Sequence, residues 1–288
     1  MKDAERSFME LILDGREPSA EEMTAYVTAF HERCPRATSD VMTRLHAEDG
    51  RTSYDILADT IVASNPLSIL DIGCGDGTLL LALRSRLADA QLYGIDLAEV
   101  DVALSKSALV NDMRAEIRIG DAGKLPFPDA SVDAITSHLV FMLLPNLEEA
   151  LSEAQRVLRP GGVLALLLPR APGHPTPLGI LLSNLTTKIR RKHPQYVQPV
   201  LGNRVAFDPH SLAEKLACAG FAGKPHVGDI SAAAVLGGSE LWDRLACRYY
   251  LGSLDANLTA ELKECAVATS CSGGFVYEET LRILTVLR

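Results

Sequence analysis

Three glycines at alternate positions, Gly73, Gly75 and Gly77, follow an apolar run that contains Asp71, and the helical stretch "TLLLALRSRL" begins directly after them. Glycines clear side chains from a βα turn, and the N-terminus of the next helix presents backbone N–H groups, so the loop suits a nucleotide-like ligand held against the backbone. Further on, "LYGIDL" closes a second apolar run on Asp96, which can accept hydrogen bonds from both ribose hydroxyls. After a third run, "IGDAGKLPF" offers Asp121 to an exocyclic amine and Ala122 through its backbone polar groups. A nicotinamide or flavin dinucleotide is the competing ligand, but its G-x-G-x-x-G fingerprint wants glycine where Thr78 stands. Asp71 and Asp76 also place negative charge beside the loop, which matches a ligand carrying an ammonium or sulfonium better than a pyrophosphate.

Those acids need strands to deliver them. From Leu67 onward, short β-branched or apolar runs alternate with helical segments, the pattern of a parallel sheet with right-handed crossovers. Strands are expected at Ser68–Ile72, Gln91–Asp96, Glu116–Asp121, Ala134–His138 and Val163–Leu168, with the clearest helix at Leu147–Leu158 before "RPGG". Five βα units in sequence make a doubly wound α/β sheet, and the C-terminal strand ends of such a sheet line its ligand crevice.

Ahead of the sheet, Ser19 and Glu22 form a capping box and Met23, Tyr26, Val27 and Phe30 follow at helical spacing. Another helical face carries Tyr54, Leu57, Ala58 and Ile61 before Asn65-Pro66. Residues 1–64 are therefore expected to be a helical cap on a domain spanning 65–288. After the fifth strand, "PRAPGHPTPLG" leads to an amphipathic helix around Ile180–Arg191, and Asp208 caps a helix before a strand near Lys224–Ile230. A helical insert near Ser239–Thr269 precedes a closing strand at Thr280–Leu287. Inserts near 171–207 and 238–274 are expected to roof the acceptor pocket.

The ordered set "LDIGCGDG", "GIDL", "GDAGKLPFPDASVDAI" and "RVLRPGGVLAL" resembles the class I S-adenosylmethionine-dependent methyltransferases over roughly residues 66–170. The resemblance implies a Rossmann-like, largely parallel sheet with an antiparallel closing strand, and S-adenosyl-L-methionine as cofactor. It also implies that Asp71, Gly73, Cys74, Gly75 and Gly77 surround the methionyl part, Asp96 and Leu97 hold ribose and adenine, and Asp121 with Ala122 grips the adenine edge. Ser137 and His138 would lie near the amino group and sulfonium. The chain outside that core matches only the loose pattern of small-molecule methyltransferases, so acceptor specificity is not inherited.

In-line methyl transfer needs alignment, exclusion of water and, for a protonated acceptor, a base. His138, at a strand end facing the crevice, is the base candidate, with a hydrogen bond to cofactor or backbone as its alternative role. Tyr54, where cap meets domain, is the second catalytic candidate, with ordinary core packing as the alternative. Tyr26, Phe30, His31 and His46 in the cap, and Trp242, Tyr249 and Tyr250 in the late insert, are second-tier candidates for the pocket.

The formal charge of −9, with a basic run only at Arg190, Arg191 and Lys192, disfavours nucleic acid. Six cysteines (Cys34, Cys74, Cys218, Cys247, Cys265 and Cys271) show no metal-ligand spacing, so reduced thiols and no metal are expected. No apolar run approaches the length of a bilayer span. Together with the resemblance, these features imply a cytoplasmic enzyme, with a homodimer open to it, methylating N, O or activated carbon of a small secondary metabolite, with a weak preference for an aromatic, indole-like ring. A cyclase or regulatory module that binds the cofactor without transferring methyl, and a protein or RNA methyltransferase, are the alternatives.

Overall fold

A computed structural model describes residues 3–171, 173–197, 203–246, 251, 254–270 and 274–288. Tyr249 and Tyr250 lie outside the described residues. Seven strands form one sheet: β1 (Ser68–Ile72), β2 (Gln91–Asp96), β3 (Ala115–Ile119), β4 (Val132–His138), β5 (Leu158–Pro169), β6 (Ala222–Leu236) and β7 (Phe275–Leu287). Their order is β3-β2-β1-β4-β5-β7-β6. Pairings from β3 through to β5 are parallel, while β7 runs antiparallel to both β5 and β6. β7 is thus the antiparallel closing strand expected from the sequence.

Alternation along the central strands feeds two cores. Val163, Ala165 and Leu167 of β5 join one apolar cluster, and Leu164, Leu166 and Leu168 join the other. The first face is covered by α4 (Ser53–Val62), α5 (Thr78–Arg84) and α6 (Glu99–Ala108), through residues such as Leu57, Ile61, Leu80 and Val102. The second is covered by α7 (Leu147–Val157) and α9 (Pro209–Cys218), through Leu151, Ala154, Leu212 and Leu216. A sheet buried on both faces explains why its inner strands read as near-continuous apolar runs.

The helices α1 (Asp3–Leu13), α2 (Ala20–Arg33) and α3 (Ala37–Met42) precede this layered domain. Phe8 stacks on Tyr26 at 3.8 Å, and both are buried, so the Tyr26 and Phe30 stripe packs inside the cap. The Ser19 box is present, with Ser19 Oγ accepting from the Glu22 N–H at 3.2 Å and Glu22 Oε2 accepting from the Ser19 N–H at 2.8 Å. A second box, Thr52 with Asp55, starts α4. α4 buries Leu57, Ala58 and Ile61 in the same apolar cluster that holds Phe8, Tyr26 and Met42 of α1 to α3, so the helices before the sheet share one core with its first face.

The late helices α8 (Pro177–Lys192), α10 (Gly238–Ala246) and α11 (Ala256–Ser270) bury Leu181, Leu185, Leu245, Leu258 and Leu262 with Phe275 and Tyr277 of β7. Trp242 is buried in the same cluster. β6 and β7 run together from Ala222 to Leu236 and from Phe275 to Leu287, well beyond the segments expected from the sequence, and this extension is what the inserts cover. His46 forms an isolated backbone bridge with Ala233 of β6, which ties the segment after α3 to the extension.

Candidate functional site

The C-terminal ends of β1, β2, β3 and β4 converge on a crevice that is partly open to solvent. Its described lining comes from two regions, the cap with the start of α4, and the β1–β4 strand ends with the segments following them. No described residue of 171–207 or 238–274 lines it. Among the described residues the cap lines the side of the crevice facing the strand ends, while the described parts of the inserts bury apolar residues with β7.

The glycine loop is pinned by its neighbour strand. The N–H groups of Gly73 and Cys74 donate to the Ile95 carbonyl at 2.8 and 2.9 Å, and the Gly75 N–H donates to Asp96 Oδ2 at 2.9 Å. The other carboxylate oxygen of Asp96 accepts from the Ala98 N–H at 3.0 Å. Asp96 thus holds the loop and the start of α6 in place while its carboxyl borders the crevice. Burial raises its pKa.

The three glycines serve different neighbours. A Cβ on Gly77 would stand 2.7 Å from Ser105 Oγ of α6, and one on Gly73 would stand 2.3 Å from the Val140 side chain. Only Gly75, with φ +53°, faces open space. Clearance for a ligand is therefore a property of Gly75, whereas Gly77 is required by helix packing and is absent from the crevice lining, a correction of its expected place beside the ligand.

Asp71 is 1% exposed and accepts a hydrogen bond from Thr136 Oγ1 of β4 at 2.8 Å. Burial, with the neighbouring Asp96 charge, pushes its pKa up to about 8. The site can relax that penalty only by admitting a proton or a cation. Cys74 is buried and its thiol is pushed up by the same desolvation, so it is no nucleophile.

His138 ends β4, stacked on Tyr54 at 3.9 Å with rings 10° from parallel, and its Nε2 lies 2.9 Å from Ser53 Oγ. Burial pushes its pKa down to about 3. A neutral imidazole with one nitrogen engaged by a buried serine is a weak proton acceptor at neutral pH, which weighs toward a hydrogen-bonding role over that of a base. Tyr54 lines the crevice from the first turn of α4, and burial followed by the charges of Asp76, Asp71 and Asp40 raises its pKa, keeping the hydroxyl neutral.

Two further expectations are corrected. Asp121 is exposed, its carboxylate accepts from the Gly123 N–H at 2.8 Å, and it does not line the crevice; β3 stops at Ile119, so Gly120 and Ala122 occupy the lining instead. Ser137 donates to the Ile72 carbonyl at 2.8 Å from a buried position outside the lining, because alternation turns it away from the cavity. Leu97, about half exposed, lines the crevice as expected.

Sequence reasoning missed the loop-to-cap contact. Asp76 Oδ1 accepts from Thr78 Oγ1 at 2.7 Å, while its Oδ2 accepts from Ser39 Oγ of α3 at 2.8 Å and lies 3.5 Å from Arg36 Nε. His31 of α2, a second-tier candidate, does reach the crevice, with Nδ1 3.5 Å from the buried Asp101 of α6. Neither Ser39 nor Asp101 has a local signature, since both act across the cap–domain contact.

The family model described as Methyltransferase domain matches residues 70–166. The chain is 30% identical to a demethylmenaquinone methyltransferase of Deinococcus radiodurans over 178 residues, covering 56% of this chain and 70% of that protein. It is 36% identical to the Thermus thermophilus demethylmenaquinone methyltransferase over 38% of this chain and 50% of that protein. It is 35% identical to malonyl-[acyl-carrier protein] O-methyltransferase 1 of Coxiella burnetii over 48% of this chain and 45% of that protein. The chain thus spans about half the length of the last two relatives. Among solved structures, the [4+2]-cyclase SpnF superimposes with a TM-score of 0.60 at 20% identity, covering 94% of this chain and 97% of that one. The YcgJ protein of Bacillus subtilis superimposes with a TM-score of 0.56 at 19% identity over 82% of this chain and 97% of that one, and these two likenesses show the fold. With the sheet order, the glycine loop and the relatives in agreement, the chain belongs to the class I S-adenosylmethionine-dependent methyltransferases, and S-adenosylmethionine is its cofactor.

Proposed function

We propose that the protein transfers a methyl group from S-adenosylmethionine to a small-molecule acceptor, as its relatives' names describe for demethylmenaquinone. The residues fit the cofactor on two counts. Asp71 is a buried carboxyl whose pKa of about 8 marks a place short of positive charge, and Gly75 leaves open space beside the loop. Asp71 would hold the methionyl ammonium, Asp96 the ribose hydroxyls, and Leu97 with Gly120 and Ala122 the adenine faces. The bound cofactor supplies an electrophilic methyl on a positively charged sulfur. Tyr54 and His138 stack beside the reacting end, hold each other's orientation and exclude water.

The observation that carries the small-molecule reading is that residues of α2 and α3 line the crevice and α3 is tied to the glycine loop through Asp76, a concave site of the kind that takes a metabolite. Incubation with methyl-labelled S-adenosylmethionine and a metabolite extract tests it. Label is expected in an extractable small molecule; label in protein or RNA alone contradicts the reading. One observation favours a second reading, that the fold binds the cofactor without transferring methyl: the neutral, Ser53-bonded His138 leaves no evident base. Tight cofactor binding with no label leaving it would select this alternative, with a cyclase activity, as the structural neighbour SpnF is named for, as one form of it.

A further inference from the structure

Residues 36–46 run from the glycine loop to the late insert and are held at both ends. At the start, Ser39 Oγ donates to Asp76 Oδ2 at 2.8 Å and Arg36 Nε lies 3.5 Å from the same oxygen; Ser39 is buried and the Asp76 side chain is 8% exposed. Further along, the buried Arg244 of α10 donates from Nη1 to the Asp40 carbonyl, and Glu240, one turn earlier in α10, accepts from Arg44 Nη1 at 2.7 Å. At the far end, His46 and Ala233 of β6 exchange backbone hydrogen bonds of 3.2 and 3.0 Å.

α3 cannot set this course by itself. Its six residues are too few for a helix to persist in water. Its N-cap, Arg36, is a non-glycine residue at φ +66° with no side-chain cap hydrogen bond. Its place is therefore fixed by what the segment touches: Met42 and Leu45 in the apolar cluster, Asp76 near its start and Arg244 in its last turn. A cation suits that last turn, where helix carbonyls run short of N–H donors, and burying a guanidinium is costly without such a partner. What α3 touches in turn is the loop. Asp76 Oδ1 accepts from the Thr78 N–H at 3.2 Å and from Thr78 Oγ1 at 2.7 Å, and Gly75, just before it, is where the backbone leaves open space.

We infer that Arg244 is a positioning residue for the cofactor site: it seats α3 against Asp76, and α3 in turn fixes the conformation of residues 75–78. By linkage the coupling runs both ways, so a bound cofactor, which immobilises the loop, also steadies α3 and α10. The insert thereby serves the cofactor although none of its described residues lines the crevice. The inference concerns binding alone, and it stands whether or not methyl is transferred.

A double-mutant cycle on the full chain tests it, with S-adenosylmethionine affinity read by calorimetry. Arg244→Met keeps an unbranched apolar stem and removes the donor, and Ser39→Ala removes the hydrogen bond of α3 to Asp76. Each should weaken binding by about 3- to 10-fold, and the double variant should bind no worse than the weaker single, because both break one path. Arg244→Lys, whose ammonium can still donate to one carbonyl, should return to within about twofold of wild type. Leu262→Ala, which empties a buried position in α11, should lower Tm and leave affinity within about twofold. Hydrogen exchange reads the reverse direction: saturating S-adenosylmethionine should slow exchange in 36–46 and in 238–246 of the wild type, and should leave 238–246 unchanged in Ser39→Ala. Wild-type affinity in Arg244→Met, multiplying losses in the double variant, or an equal loss in Leu262→Ala overturns the inference. If Arg244→Met fails to fold, the exchange comparison decides, and no slowing in 238–246 of the wild type overturns it. A wild type that binds no S-adenosylmethionine overturns the cofactor assignment and the inference with it.

Discussion

Replacing Asp71 by Asn should stabilise the cofactor-free protein and weaken its cofactor binding. An unfolded aspartate titrates near 3.9, but Asp71 in the fold titrates at about 8 because it is buried beside Asp96. Between those values the unfolded chain has lost a proton that the folded chain keeps, so stability falls as pH rises through the interval and levels off above it. At pH 7 the interval covers about three pH units, and at 1.36 kcal/mol per unit the carboxyl costs about 4 kcal/mol. Asn keeps the Thr136 hydrogen bond as an acceptor and has no charge to desolvate, so Asp71→Asn should raise Tm by roughly 4–8 °C at pH 7, with the gain vanishing near pH 4. Cofactor binding should change the other way. A charge-assisted hydrogen bond of about 1.5–3 kcal/mol is lost, which weakens S-adenosylmethionine by roughly 10- to 150-fold. Binding to the wild type at pH 7 should release close to one proton, read by calorimetry in buffers of different ionisation enthalpy, and binding to the variant should release none. An unchanged Tm difference across pH, or equal proton release from both proteins, refutes the reasoning.

His138 carries the opposite linkage. Its pKa is held at about 3 in the fold against 6.5 in the unfolded chain, so it costs stability as pH falls below 6.5, by up to about 1.4 kcal/mol per unit, and His138→Gln should flatten the acid limb of a Tm-against-pH curve while leaving the pH–rate profile in place. A profile that loses a limb in the variant would restore the base assignment. Gly77→Ala should destabilise the protein by about 1–3 kcal/mol, since the methyl would meet Ser105 Oγ at 2.7 Å with φ at +86°, whereas Gly75→Ala should cost less stability and more cofactor affinity; chemical denaturation and calorimetry separate the two. Ser39→Ala removes the cap's hydrogen bond to Asp76 and should raise KM for the acceptor several-fold with folding intact, and an unchanged KM would show that the Asp76 tie does not hold α3 at the crevice.

The strand-end acids were legible because a parallel strand buried on both faces leaves an acid only where it emerges, and Asp71 and Asp96 do emerge at the crevice. Asp121 followed the same sequence logic but lies two residues past the end of β3, where the chain has already turned outward. Spacing marked three glycines without saying what each faces, since whether a Cβ meets a ligand, Val140 or Ser105 depends on residues far along the chain. His138 was visible at a strand end, but its partner Ser53 sits 85 residues earlier, and only the packing of α4 over β4 reveals that its nitrogen is engaged. The inserts read as a roof because they follow the fifth strand; the length of the β6–β7 extension they cover was hidden by the alanine-rich stretch "SAAAVL", which carries little strand signal.

If the crevice receives a positively charged nucleoside, Asp96 holds its ribose. Calorimetric titration of wild type and Asp96→Ala with S-adenosylmethionine, its demethylated product and a nicotinamide dinucleotide tests that most directly. One S-adenosylmethionine per chain should bind the wild type, weakened by about 1–3 kcal/mol in the folded variant, with no binding of the dinucleotide. Binding of the dinucleotide in place of S-adenosylmethionine, or unchanged affinity in the variant, would contradict it.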